Sequence, residues 1–223
     1  VRRYGVQLSS LQITNEPNLS FMDGSKPYVL DALVQGVIAA KDEACRQGAH
    51  LDIGFGSVPD SPVSLPTFWN DLAAVGGSAL TEALDFVGHN FYVDVFEEPV
   101  PLEEIPLRVE QVLRDLRSRN LARAGIPASV PIRVTENGWP TGTSPLTDTA
   151  RTFARQAQVL EMIVRAVDEL RNELNISHYT LFGLRDADSA KPDLFHQFGI
   201  LRDDYSAKPA YTVFQRLINE LDR

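Results

Sequence analysis

The chain of 223 residues predicts an α/β protein built on a parallel sheet, and three observations carry that prediction. Short apolar runs of strand length alternate five times with longer stretches of 3.6-residue periodicity. Those longer stretches have the length of the helical crossovers that parallel strands require. The residues most suited to chemistry, in Asn15-Glu16-Pro17 and Thr135-Glu136-Asn137-Gly138, stand where strand patterns give way to turns. An open doubly wound sheet and a closed barrel both satisfy the alternation. Barrel enzymes carry their active sites at the C-terminal ends of the strands, and no glycine-rich phosphate loop follows the first strand, so the barrel is the preferred reading.

The strands are expected over Leu8 to Thr14, Leu51 to Phe55, Phe86 to Tyr92, Ile132 to Thr135 and His178 to Leu184, apolar runs of the kind that parallel sheets bury. The first helix runs from Pro27 to Gln47, with Ser25 as its cap, Pro27 in its first turn and Gly48 just past its end. The second covers Pro66 to Leu84 and is weakened by Gly76 and Gly77. The third, Glu103 to Ala124, gathers Ile105, Val109, Val112, Leu113 and Leu116 on one face and stops at Gly125. The fourth, Asp148 to Leu174, repeats that spacing in Phe153, Ala157, Leu160, Val164, Val167 and Leu170. A last helix follows Pro209, with Phe214, Leu217, Ile218 and Leu221. The length suits one sizeable core, so residues 1–223 are expected to form a single domain.

Composition excludes several function classes. The net charge of -9 and the lack of a clustered basic face argue against a nucleic-acid partner. The arginines between Arg114 and Arg123 alternate with leucines and read as the wet face of the third helix. A single cysteine, Cys45, rules out an internal disulfide and a cysteine metal cluster, and its helical setting reads as a small packed residue. No stretch approaches the ~20 apolar residues of a membrane span. His50, His89, His178 and His196 form no close-spaced metal pair, so neither a metal nor a cofactor is expected. The sequons at Asn18 and Asn175 carry little weight, because the pattern is common by chance.

Two glutamates at strand mouths are the minimum equipment for cleaving a glycosidic bond, one as acid and the other as nucleophile or base. On these residues the chain resembles the retaining glycoside hydrolases of clan A, eight-stranded TIM-type (β/α) barrels. Asn15-Glu16-Pro17 is similar to their acid/base motif after strand four, and Thr135-Glu136-Asn137-Gly138 to their nucleophile after strand seven. Asp85 to Tyr92 resembles the strand-six segment of family 1 β-glycosidases, Tyr179 to Asp186 with Phe198-Gly199-Ile200-Leu201 resembles strand eight and its loop, and Lys208-Pro209-Ala210-Tyr211 the closing helix. The ending Gly138-Trp139-Pro140 is similar to family 17 glucanases, whereas Asn15-Glu16-Pro17 fits families 1 and 5 better.

The resemblance implies an incomplete barrel, strands four to eight only, since just seven residues precede the first strand. Either a longer parent was cut or this is a five-unit variant. Its first and last strands would be unpaired edges, to be covered by another chain, either a second copy or an N-terminal half-barrel. The resemblance also implies roles. Glu136 attacks the anomeric carbon and Tyr92 holds it. Glu16 protonates the leaving group and then deprotonates water, with the two carboxyls roughly 5 to 5.5 Å apart. Asn15 binds the sugar 2-hydroxyl. His89 and Asn90 face the cleft, although His89 reads equally as a hydrogen-bonded wall residue. Trp139 either stacks on a sugar or forms a buried wall, and Phe182 stands where many members carry a tryptophan platform. Trp69 either lines the cleft or, the preferred reading, packs between helix and sheet; Asp186 and Asp188 either contact substrate hydroxyls or cap the following turn; Glu97, Glu98, Glu103 and Glu104 read as a solvated rim.

The expected function is therefore retaining hydrolysis of β-linked glycosides or polysaccharides. The alternative is a catalytically impaired carbohydrate-binding barrel fragment that needs another chain. An aldolase or enolising enzyme is disfavoured, because Lys26, Lys41, Lys191 and Lys208 do not read as strand-end residues. Sugar identity, linkage and compartment are not legible.

Overall fold

The computed structural model describes residues 1–221. Its five main strands are β1 (Ser10–Ile13), β2 (Asp52–Phe55), β3 (Phe86–Asn90), β4 (Ile132–Asn137) and β7 (Ile176–Leu181), and they form one sheet in the order β1-β2-β3-β4-β7. The remaining two, β5 (Gly142–Thr143) and β6 (Ala150–Arg151), form a small antiparallel hairpin. Five helices alternate with the main strands: α1 (Pro27–Gln47), α2 (Phe68–Ala83), α3 (Ile105–Asp115), α4 (Phe153–Leu170) and α5 (Pro209–Leu221). The result is an α/β protein with a five-stranded parallel sheet.

The chain divides into two compact units. The first comprises Val1–Asn90, Leu113–Thr135 and Glu173–His178, and it contains β1 to β3 whole with the leading parts of β4 and β7. Its core is apolar on both sides of the sheet, with Ile53, Phe55, Phe86, Val87, Ile132 and Val134 in the strands and Leu33, Val37, Trp69, Leu72 and Leu80 in the helices. Each such side chain contributes about 1.5–3 kcal/mol by leaving water. Trp69 packs edge-on to Phe68, centroids 5.2 Å apart, which makes it a packing residue. The second unit comprises Phe91–Val112, Glu136–Asn172 and Tyr179–Arg223. There α4 and α5 enclose Leu160, Val164, Ile200, Ala210 and Leu217, with Tyr179, Leu181 and Phe214 against them.

Helix boundaries follow local chemistry where that chemistry is strong. In α1, Pro27 occupies the first turn and Gly48 takes the left-handed conformation (φ 61°) that ends it. Ser25 is not the cap: the chain enters the helix through Lys26, and the Ser25 hydroxyl donates instead to the carbonyls of Ser20 and Met22. Gly77 breaks α2 with φ 52° and ψ -152°. Beyond α3 the helix widens into a π turn over Leu116–Leu121, where the Ser118 hydroxyl donates to the Arg114 carbonyl and competes with the regular ladder.

Three further expectations are corrected. Cys45 is exposed, because it falls on the wet side of α1 between buried Ala44 and the helix end. Arg117 is not a solvated charge: its guanidinium donates to the carbonyls of Leu174 and Val130, tying the π turn to the starts of β4 and β7. The fourth helix begins at Phe153 rather than Asp148, since β5 and β6 consume the preceding residues and Thr152 caps the helix by accepting from the Arg155 amide.

Candidate active site

Glu16 is positioned by the turn that leaves β1. Thr14 and Glu16 both adopt left-handed backbone, φ 65° and 49°, at a cost on the order of 1–2 kcal/mol each for residues carrying a Cβ. The turn is held by Asn18, whose amide nitrogen donates to the Val58 carbonyl at 2.7 Å and whose amide oxygen accepts from the Val58 N–H at 2.9 Å. Asn18 is fully buried, so its sequon is closed in the folded protein.

The direction of Asn90 is fixed by its neighbours. The Thr135 hydroxyl donates to Asn90 Oδ1 at 2.7 Å, which turns Nδ2 toward Glu16 Oε1 at 3.0 Å and Asn15 Oδ1 at 3.1 Å. Gln12 Nε2 also reaches Asn15 Oδ1, at 3.5 Å. With its oxygen so engaged, exposed Asn15 presents its amide N–H groups to any ligand. Gly88 makes this crossing possible, because a Cβ there would lie 2.7 Å from Gln12 Oε1 and 2.9 Å from Thr135 Oγ1. Gln12, and the part that Thr135 plays in orienting Asn90, escaped the sequence reading; Thr135 and Asn90 lie far apart along the chain.

His89 is a wall residue, 1% exposed. Ser57 donates its one hydroxyl proton to the Gly88 carbonyl, so its oxygen accepts from His89 Nδ1 at 2.8 Å. Burial pulls the imidazole's pKa down to about 3. The sign of the linkage follows. The unfolded chain takes up a proton below about pH 6.5 while the folded chain does not, so stability from this group is complete above about 6.5 and falls toward pH 3 at about 1.4 kcal/mol per pH unit. Urea unfolding between pH 6.5 and 5 should show that slope, and His89→Gln should flatten it; equal slopes would refute the assignment.

Glu136 sits one residue before the end of β4, which runs on to Asn137 rather than stopping at Thr135. The Tyr92 hydroxyl donates to Glu136 Oε2 at 2.9 Å, an interaction that favours the ionised carboxylate. The backbone around it is fixed: the Phe91 N–H donates to the Glu136 carbonyl at 3.1 Å and the Phe182 N–H to the Asn137 carbonyl at 2.7 Å. Asn137 adds a buried link, donating to the Phe91 carbonyl at 2.7 Å while accepting from the Tyr179 hydroxyl at 2.8 Å. Burial pushes the Tyr179 phenol's pKa up, so it remains a donor. Gly138 cannot be replaced without movement, since a Cβ there would lie 1.6 Å from the Phe182 carbonyl oxygen.

Trp139 is 2% exposed. Its indole N–H donates to Asp94 Oδ1 at 2.5 Å, and the Arg151 guanidinium covers the ring at 4.7 Å. Of its two expected roles the burial fits the wall. Asp94 and Arg151 pair at 3.7 Å with both side chains fully buried, and Arg151 also donates to the carbonyls of Asp94, Val95 and Glu97. Sequence reading missed both, because Arg151 lies in the hairpin that had been assigned to a helix. Phe182 keeps 44% of its surface exposed and meets Tyr92 and Phe198 edge-on, at 6.1 and 5.4 Å.

The loop after β7 is anchored by an ion pair. Asp186 Oδ1 accepts from Lys208 Nζ at 2.8 Å and from the Gly199 N–H at 2.8 Å, and Ser189 donates to Oδ2 at 2.9 Å. Lys208 also donates to Thr141 Oγ1 at 3.0 Å. Both charged side chains are essentially without solvent, and burial lowers the lysine's pKa while Asp186 opposes that fall. Asp188 caps its turn by accepting from the Ala190 N–H. Among the described residues no group of histidine, cysteine and carboxylates could hold a metal ion, and no helix is long and apolar enough to cross a membrane.

No family model matches the sequence, and no curated protein matches it. Solved structures do. A family 17 β-1,3-glucanosyltransferase from Rhizomucor miehei shares 14% identity at a TM-score of 0.60 over 92% of this chain. An endo-laminarinase from Formosa shares 17% at 0.58 over 95%, and a Bifidobacterium dentium β-glucuronidase 15% at 0.60 over 93%. The chain spans 64% of the length of the transferase, 59% of the laminarinase and 30% of the glucuronidase. At these identities the likeness is one of fold: the chain is folded like parts of glycoside hydrolases.

Proposed function

We propose that the chain carries the catalytic carboxylates of a retaining glycoside hydrolase acting on β-linked glycosides or polysaccharides. The observation that supports the reading is the Tyr92 hydroxyl donating to Glu136 Oε2 at the end of β4, which orients the carboxylate and supplies a donor that its charged form would use. Glu136 is assigned as nucleophile. Glu16, held by Asn90, is assigned as the acid that protonates the departing alcohol and then as the base that takes a proton from water. Asn15 is assigned to donate to a sugar hydroxyl, a hydrogen bond that strengthens as positive charge builds at the ring. The fold neighbours support the class: their names give a glucanosyltransferase, a laminarinase and glucuronidases. On this reading the sheet is the strand-four-to-eight portion of a TIM-type barrel, completed by a second copy or by an N-terminal half-barrel.

The test is mechanism-based trapping. A panel of activated 2-fluoro-glycosides should add one sugar mass to the intact chain, and peptide mapping should place it on Glu136. In the first step the Glu136 oxygen bonds to the anomeric carbon as the bond to the leaving group breaks, and the fluorine slows the hydrolysis that would release the sugar. Oligosaccharide binding with no label on any panel member would reduce the protein to a binding fragment.

A further inference from the structure

The end of β4 adjoins an apolar surface that neither the core nor the assigned chemistry uses. Tyr92, hydrogen-bonded to Glu136, meets Phe96 edge-on at 5.8 Å, and Phe96 lies nearly parallel to Phe195, with centroids 6.4 Å apart and ring planes 24° apart. Phe96 is 50% and Phe195 55% exposed. Single exposed apolar residues are ordinary on a surface, whereas several touching rings form a patch that marks a binding site. Two aromatic rings held by one another and by Tyr92 present rigid flat faces with little conformational entropy left to lose.

The charges near these rings select among ligands. Phe96 is followed by Glu97 and Glu98, both exposed; Arg108 stands 3.9 Å from Glu97, and Glu98 accepts from the Thr149 hydroxyl at 2.7 Å. Beside Phe195, His196 is engaged by Asp193 at 2.8 Å, and Lys191 faces Asp188 at 3.7 Å. Arg151 and Lys208, the buried cations of this unit, are committed to Asp94 and Asp186. A carboxylated sugar would therefore meet acidic neighbours and cations already engaged. An uncharged pyranose offers the C–H face that stacks on phenyl rings and hydroxyls that the flanking carboxylates accept.

We propose that Phe96 and Phe195 form a second carbohydrate subsite, which stacks an uncharged sugar of a β-linked chain whose reacting unit lies at Glu136. The substrate class is then a neutral oligosaccharide or polysaccharide, in preference to a uronide. The inference rests on the assignment of Glu136 as nucleophile, and its test is separable from that assignment.

Binding is measured by calorimetry on the full chain carrying Glu136→Gln, with laminaritriose, cellotriose, glucose and, as charged control, cellobiouronic acid. A neutral trisaccharide should bind more tightly than glucose and more tightly than the uronic acid. Phe96→Ala with Phe195→Ala should weaken the trisaccharide about tenfold and shrink its advantage over glucose. Phe195→Trp, which restores a flat ring in the single-site background, should recover binding and guards against a merely misfolded alanine variant. Affinity unaffected by the alanine pair, tighter binding of the uronic acid, or no trisaccharide binding at all would each overturn the proposal. If trapping instead placed the fluoro-sugar on another residue while trisaccharide binding still depended on the two rings, the nucleophile assignment alone would fail.

Discussion

Glu136→Ala is expected to lower turnover by at least about 10³-fold, and added azide to restore part of it as an inverted glycosyl azide. On the proposed assignment the carboxylate that would bond to the anomeric carbon is gone, so the covalent route closes. The space it leaves admits a small anion on the same face, and azide bonds to the anomeric carbon as the bond to the activated leaving group breaks. The fold should survive, because Glu136 is tied into the sheet by its backbone, through the Phe91 N–H, a link the substitution leaves in place. Product stereochemistry by proton NMR, alongside circular dichroism of the variant, checks both points. A folded variant that azide does not rescue with any activated donor processed by the parent would remove Glu136 from the nucleophile's role.

Lys208→Met should destabilise the protein by about 3–5 kcal/mol, because it leaves the Asp186 carboxylate buried without its cation. Asp186 would still accept from Gly199 and Ser189, but neutral donors replace little of what the ammonium supplied. The double variant Lys208→Met with Asp186→Leu removes both charges and should recover much of the loss, since the pair contributes little net stability once its desolvation is counted. Urea unfolding of the four proteins in a double-mutant cycle measures the coupling. Equal losses for the single and the double variant would mean that the pair's hydrogen bonds to Thr141, Gly199 and Ser189, and not the unpaired charge, hold the loop after β7.

The distribution of what was legible follows the range of the interactions. The limits of α1 at Pro27 and Gln47 were readable because a proline in the first turn and a glycine at φ 61° act within a few residues of themselves. The five strands were readable because runs such as Phe86-Val87-Gly88 are too apolar to stand anywhere but inside a sheet covered on both faces. Glu16, Glu136 and Tyr92 were recognisable as a set of motifs in order, and the Tyr92 to Glu136 hydrogen bond is a contact that this resemblance implied.

What stayed hidden depends on partners far along the chain. Asn90 reaches Glu16 across 74 positions, and its orientation is decided by Thr135, which carries no local mark of that duty. Trp139 looks in sequence like a sugar-stacking ring; only the arrival of Asp94 and Arg151 around it turns it into a wall. Cys45 and Arg117 exchanged their expected surroundings because a residue's position around a helix is set by which neighbour that helix packs against. The sequence by itself determined the α/β alternation, the strand-end carboxylates and the acidic composition, since these rest on local periodicity and residue type. The tertiary structure decided which side chains hold the carboxylates and which aromatic rings remain open to a ligand, because hydrogen bonds and burial are properties of surfaces that meet only after folding.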